Sequence, residues 1–169
     1  MSMHGYFTPG DIRTPVDPAN PPASSGADLQ RAVYEALTQD PYIMTLINGV
    51  YDFVPEARPD VPGRDKDPWG DVQGYISFGP MDATNDSAEC IESGLYTLQL
   101  DAWSRQRNSV HCRRIVDQVR RILDNLTVDV PGGNALVGFT IEAWRFMRDP
   151  DGLTTHGILS VQTSIEDEM

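Results

Sequence analysis

Residues 95–125, LYTLQLDAWSRQRNSVHCRRIVDQVRRILDN, set two hydrophobic periods back to back, and this junction constrains the fold more than any other feature of the chain. Tyr96, Leu98, Leu100 and Ala102 alternate with Thr97, Gln99 and Asp101, the period of two of a strand with one packed and one wet face. Beyond a short polar turn, Cys112, Ile115, Val116, Val119, Ile122 and Leu123 recur at spacings of three and four, a single apolar stripe along a helix. Each face needs cover, so the helix folds back onto the sheet. No catalytic side chain is required to explain any of these positions, which points away from an enzyme.

The rest of the chain extends this unit. With 169 residues it fits one domain with a real core. The first 26 residues carry Pro9, Pro15, Pro18, Pro21 and Pro22 with three glycines, and predict an extended or flexible arm. Residues 27–169 then form the single domain. Ser25 and Asp28 open a helix whose stripe is Leu29, Ala32, Val33, Ala36 and Leu37. Asp40-Pro41 ends it and starts a short second helix over about 41–47, which stops at Asn48-Gly49. A first strand is predicted over Val50–Val54, a long loop over 55–70, a second strand over about 72–80, and a polar, acidic stretch from Asp82 to Ser93. The strand at 95–103 and the helix at 109–125, capped by Asn108, come next. After a turn at Pro131–Asn134, strands over Ala135–Met147 and Leu153–Ile165 flank Asp149-Pro150-Asp151-Gly152, a strong hairpin turn. The expected class is α+β, one antiparallel sheet with helices packed on one face.

Charge narrows the function. The net charge of −12 is unevenly spread: residues 60–101 hold nine acids against Arg64 and Lys66, whereas residues 102–148 hold eight arginines against four acids. That balance argues against a protein that grips nucleic acid, which needs clustered cationic side chains. It suits a surface along which DNA slides without sticking. No apolar run approaches the roughly 18–20 residues that span a bilayer, and the amino terminus does not read as a secretory signal. Cys90 and Cys112 are too few and too far apart for a zinc ribbon or a disulfide framework, and read as reduced thiols of a cytoplasmically assembled protein.

Nor do the reactive residue types converge. His4, His111 and His156 fall in the arm, a helix and a strand, and make no metal site. Ser104, Ser109 and Ser160 sit in no nucleophile elbow, and no phosphate-binding glycine loop is present. Glu89 and Glu92 are spaced for acid–base work but lie in a charged loop, where a solvated edge is the simpler reading. Catalytic, cofactor and metal sites are therefore all expected to be absent.

The order of elements, with LQRAVYEALTQDPYI at 29–43, VYDFVPE at 50–56, YTLQLDAWSR at 96–105, RIVDQVRRILDNL at 114–126 and RDPDGLTTHGILSVQTSIE at 148–166, resembles the tail-completion (tail-terminator) family of long-tailed bacteriophages and phage-derived gene transfer particles. The resemblance implies a virion structural protein assembled in the bacterial host cytoplasm. Its subunits would close into a six-fold ring that caps the tail tube, stops its growth and joins the tail to the head connector. The implied partners are sister copies, the tail tube protein and a connector or neck protein, with DNA passing through the lumen. The arm at 1–26 and the loop at 57–71 depart from the family pattern. Rival readings are another neck or tube component and, from another class, a small carboxylate-dependent enzyme.

Within that frame the surface arginines gain a role. Arg113, Arg114, Arg120 and Arg121 are read as sharing the helix face opposite the apolar stripe, interleaved with Asp117 and Asp124. A solvated face of weak pairs, each contributing about 0.2–0.5 kcal/mol, is the simple account. The sharper expectation is that this face meets the acidic 82–92 segment of the next subunit, through Asp82, Asp86, Glu89 and Glu92. Trp103 and Trp144 are expected in core or sheet-edge packing. Trp69, in the polar loop, is the candidate for a partner contact.

Overall fold

In the computed structural model, which describes residues 25–56, 67–85, 92–126 and 135–167, the two periods of the junction become strand β3 (Glu92–Ser104) and helix α3 (Val110–Asp124). Before them come α1 (Ser25–Gln39), α2 (Ile43–Leu46), β1 (Val50–Tyr51) and β2 (Gly74–Asn85). After them come β4 (Ala135–Arg148) and β5 (Thr155–Asp167). The arm up to residue 24, Cys90 and the Pro131–Asn134 turn lie outside the described residues.

One five-stranded sheet runs in the order β1-β2-β3-β5-β4. β2, β3, β5 and β4 are successively antiparallel, while β1 adds two residues in parallel, Val50 opposite Ile76 and Tyr51 opposite Ser77. β3 and β5 pair without interruption from Glu92–Asp167 to Ser104–Thr155, and form the centre of the sheet. The chain leaves β3 through α3, reaches the far edge as β4, and hairpins back so that β5 inserts between them.

The predicted faces meet in the core. Ile76, Leu98, Leu100, Ala102, Leu159, Val161 and Ile165 of the sheet pack with Cys112, Ile115, Val116, Val119 and Leu123 of α3 and Leu29, Val33 and Leu37 of α1. Burying each large aliphatic side chain contributes about 1.5–3 kcal/mol. α3 lies so close to β5 that a Cβ on Gly157 would sit 2.8 Å from Val116 Cγ2 and 3.0 Å from Cys112 Sγ. The Cys112 thiol is buried, and burial pushes its pKa up to about 12. The helix starts also follow the sequence: Asp40 Oδ1 accepts the Ile43 N–H at 2.7 Å, and Asn108 Oδ1 accepts the Val110 N–H at 3.1 Å.

Three boundaries differ from expectation. β1 stops at Tyr51, short of Val54. β2 continues to Asn85, so Asp82 belongs to a strand, and Glu92 opens β3 instead of lying in a loop. A bulge between Phe78 and Met81 accounts for the second: Ile76 and Phe78 face the helices, then Met81 and Ala83 do, so the alternation changes parity midway. β4 does the same between Ile141 and Ala143. Phe139 and Ile141, then Trp144 and Phe146, stand opposite core-facing residues of β5.

Candidate functional site

Helix geometry divides the arginines expected to share one face. Neighbours on a helix point 100° apart, whereas residues seven apart nearly superimpose. Arg113 and Arg120 therefore lean together over β4, their guanidinium carbons 5.1 Å from the Phe146 ring centre and 3.7 Å from that of Trp144. Arg120 also stands 3.6 Å from the Asp117 carboxylate. Its Nε is buried with no hydrogen-bond partner among the described residues. Arg114 and Arg121 are exposed on the other flank of α3. Arg121 lines an open groove of about 490 Å3 between α3 and the α1–α2 corner, with Asp40, Pro41 and Gln118. Trp144 takes the sheet-edge place expected of it and stays 44% exposed beneath Arg120.

One acidic candidate, Asp82, lies toward the opposite edge. β1 covers only Ile76 and Ser77 of β2, and beyond Phe78 no described strand pairs with that side of β2. Asp82 is exposed there, opposite Thr97 on the sheet face away from the helices. Glu92 begins β3 opposite Asp167, while Asp86 and Glu89 lie outside the described residues. Among the described residues, Asp82 on β2 and the Arg113–Arg120 pair over β4 thus lie toward opposite lateral ends of one sheet.

Trp69, the candidate for a partner contact, is 9% exposed in the protomer, edge-on to Tyr75 at 4.8 Å and roofed by the Arg105 guanidinium at 3.9 Å. The cause is a tight fold of residues 67–74: Trp69 N–H donates to Asp67 Oδ1, and Gly74 N–H donates back to the Trp69 carbonyl. The indole starts a row that runs through Tyr75 and Trp103 to His156, whose imidazole stacks on Trp103 at 3.7 Å and 9°. This roof also dries part of the face expected to be wet. Tyr75, Ser77 and Asp101 are each 7% exposed, and burial raises the Tyr75 phenol's pKa. Trp103 Nε1 donates to Ser77 Oγ at 3.0 Å.

One pair has the look of nucleophile and base. Ser104 Oγ lies 2.8 Å from His111 Nδ1, and His111 Nε2 lies 2.9 Å from the Leu46 carbonyl. A carbonyl only accepts, so Nε2 carries the proton and neutral Nδ1 accepts from the serine hydroxyl. Burial lowers the imidazole's pKa below 6.5 and keeps it neutral. Ser104 is fully buried, however, so no substrate reaches it, and the pair ties α2 to the start of α3. The open groove has Asp40 as its one carboxylate among the described lining residues, already accepting the Ile43 N–H. Among the described residues, no three His, Cys, Asp or Glu side chains are grouped to hold a metal ion, and no helix is long and apolar enough to cross a membrane.

Sequence reasoning missed the Asp101–His156 contact, the Arg105 roof and the uncovered edges, all of which depend on strand order. The seven-residue spacing of Arg113 with Arg120 and of Arg114 with Arg121 was the available signal for the division of the arginines.

Comparison with known proteins completes the description. Residues 31–166 match the model of a family described as tail completion protein gp17. Among solved structures, a chain from the virion of a native gene transfer agent particle is 20% identical, with a TM-score of 0.70 over 83% of this chain and 96% of that chain. The gp17 protein of bacteriophage SPP1 is also 20% identical, with a TM-score of 0.48 over 81% of this chain and 88% of that one. No curated protein sequence matches.

Proposed function

Since the chain belongs to the family of tail completion proteins and is a structural component of a phage-type particle's tail, we propose that it is the tail terminator. Its copies close into a ring, six-fold in our reading, that caps the tail tube, stops tube growth and joins the tail to the head connector. The observation that carries this reading is the separation of unlike surfaces to the two ends of one sheet: arginines and a half-exposed tryptophan beside β4, Asp82 on the uncovered part of β2. Such a protomer joins its neighbour head to tail, and a head-to-tail contact that closes makes a ring. Of the four arginines, Arg113 and Arg120, beside β4, meet the acidic segment of the next copy, with Asp82, Asp86, Glu89 and Glu92; Arg114 and Arg121 lie on the other flank of α3.

The mechanism is geometric. One ring face complements the last ring of the tube and the other presents a surface that the tube subunit does not bind, so addition stops there and the connector docks. Acidic side chains at the lumen repel DNA phosphates at short range and ease passage without specific binding. Mixing the chain with purified tube subunits during polymerisation tests the proposal. Tubes that stop growing and carry one extra ring at one end are expected. Tubes that lengthen unchanged, or that incorporate the chain along their length, contradict it.

A further inference from the structure

We propose that β4 of one copy completes the sheet of the next by pairing antiparallel with the uncovered half of β2, in the register that sets Arg145 opposite Asp82; this rests on the head-to-tail reading above and specifies its contact. Four observations converge on that register.

Among the described residues both sheet ends are open, and their directions match. β2 runs antiparallel to β3, β3 to β5, and β5 to β4, so β4 runs opposite to β2. A neighbour displaced sideways in the sheet plane therefore brings its β2 antiparallel to β4. Edges are normally blunted by lysine, proline, bulges or short length, because their free N–H and C=O groups recruit other strands. β4 is fourteen residues long and contains neither lysine nor proline. Its bulges both lie before Ala143, which leaves Ala143–Arg148 regular.

The vacant length fits. In the proposed register Thr84 stands opposite Ala143, Asp82 opposite Arg145, and Met81 opposite Phe146; regular pairing ends there, because Pro80 has no N–H and the β2 bulge lies between Phe78 and Met81. β1 ends beside Ser77, so the incoming β4 stops just short of it.

Both faces then find partners. Asp82 pairs with Thr97, and Arg145 with Ile158, on the sheet face away from the helices, so the two exposed charges of opposite sign meet on one side. On the helix side the same register lays Ala83 of the neighbour against Trp144, and Met81 against Phe146. The Trp144 indole, 44% exposed in the protomer, gains a cover. A shift of one residue would put Asp82 against an aromatic on the helix face and lose both matches.

The test uses the full chain, with Cys90→Ser to remove the other thiol and Cys112 left buried. Under mild oxidation at high protein concentration, Thr84→Cys with Ala143→Cys is expected to give a ladder of covalent oligomers, because each copy offers both ends, whereas either cysteine alone gives no ladder. Separately, Asp82→Arg and Arg145→Asp should each weaken association about tenfold or more, as like charges brought together across an interface do. Combining them in one chain should restore it. All four positions are exposed, and circular dichroism checks that each variant folds. Rings that form without the ladder and ignore the charge reversals would overturn the edge pairing while leaving the terminator reading intact. Absence of any self-association, with no ladder, would overturn both.

Discussion

Asp101 and His156 meet diagonally across the β3–β5 ladder, Oδ1 of the carboxylate 2.7 Å from Nε2 of the imidazole, on the sheet face that carries no helix. Their side chains are only 10% and 14% exposed. Gln99 Nε2 holds the same carboxylate at 3.0 Å, and Trp103 stacks on the ring. Every polar atom of the pair that the roof shelters from water has a protein partner, which is the condition for burying such groups. Replacing His156 with Phe keeps the stacking but removes one of the carboxylate's two side-chain partners, leaving Gln99. We expect a loss of about 1–3 kcal/mol in urea unfolding, the usual scale for a lost hydrogen bond to a charged group. An unchanged unfolding midpoint would show that the contact contributes nothing.

His111 sets a pH dependence. Its pKa is lower in the folded chain than the ordinary 6.5, mainly through burial, so the unfolded state takes up the proton more readily. The stabilisation from the neutral, hydrogen-bonded ring is fully present above pH 6.5 and is lost as pH falls through the folded value. Between pH 7.5 and 5.5 the unfolding midpoint of the native sequence should fall further than that of His111→Gln. Parallel curves for the two proteins would refute this assignment.

Gly157 marks a close approach of α3 to the sheet. A methyl group there would press on Val116 Cγ2 and Cys112 Sγ. Gly157→Ala is expected to cost about 1–3 kcal/mol through overpacking. Adding Val116→Ala should recover part of that loss, because it removes the crowding atom. Thermal or urea unfolding of both variants reads the difference, and an additive double variant would mean that the crowding is relieved elsewhere.

The two arginine pairs should separate by experiment. Arg113→Ala with Arg120→Ala removes both guanidinium–aromatic contacts and is expected to lower stability by about 1–2 kcal/mol, at about 0.5–1 kcal/mol each. Arg114→Glu with Arg121→Glu alters only exposed charges and should stay within about 0.5 kcal/mol of the native sequence. A stable protein from the first variant, or a destabilised one from the second, would contradict the division of roles.

The parts of this fold that show in the sequence are those whose partners lie on the same element. The α3 stripe from Cys112 to Leu123, the β3 alternation from Tyr96 to Ala102 and the Asp149–Gly152 turn each read from local spacing, and the structure holds them as read. Alternation fails where a bulge flips parity. Phe78 and Met81 both face the helices, as do Ile141 and Trp144, so β2 looked shorter than it is and its acidic half passed for loop. The burial of Trp69 is hidden for a related reason: it needs Arg105, thirty-six residues on, folded across it. The charge asymmetry along the chain was legible as composition. That Asp82 and the Arg113–Arg120 pair fall toward opposite sheet ends depends on β5 inserting between β3 and β4, which no local pattern announces.

At the centre stands the claim that copies of this chain dock side by side and close on themselves. Solution mass measurement by sedimentation, paired with negative-stain imaging of the same sample, reads this directly. Single closed rings of one fixed copy number are expected, with no longer assembly at any concentration. Extended tubes, open filaments or a protomer that stays alone at the highest concentration would contradict it.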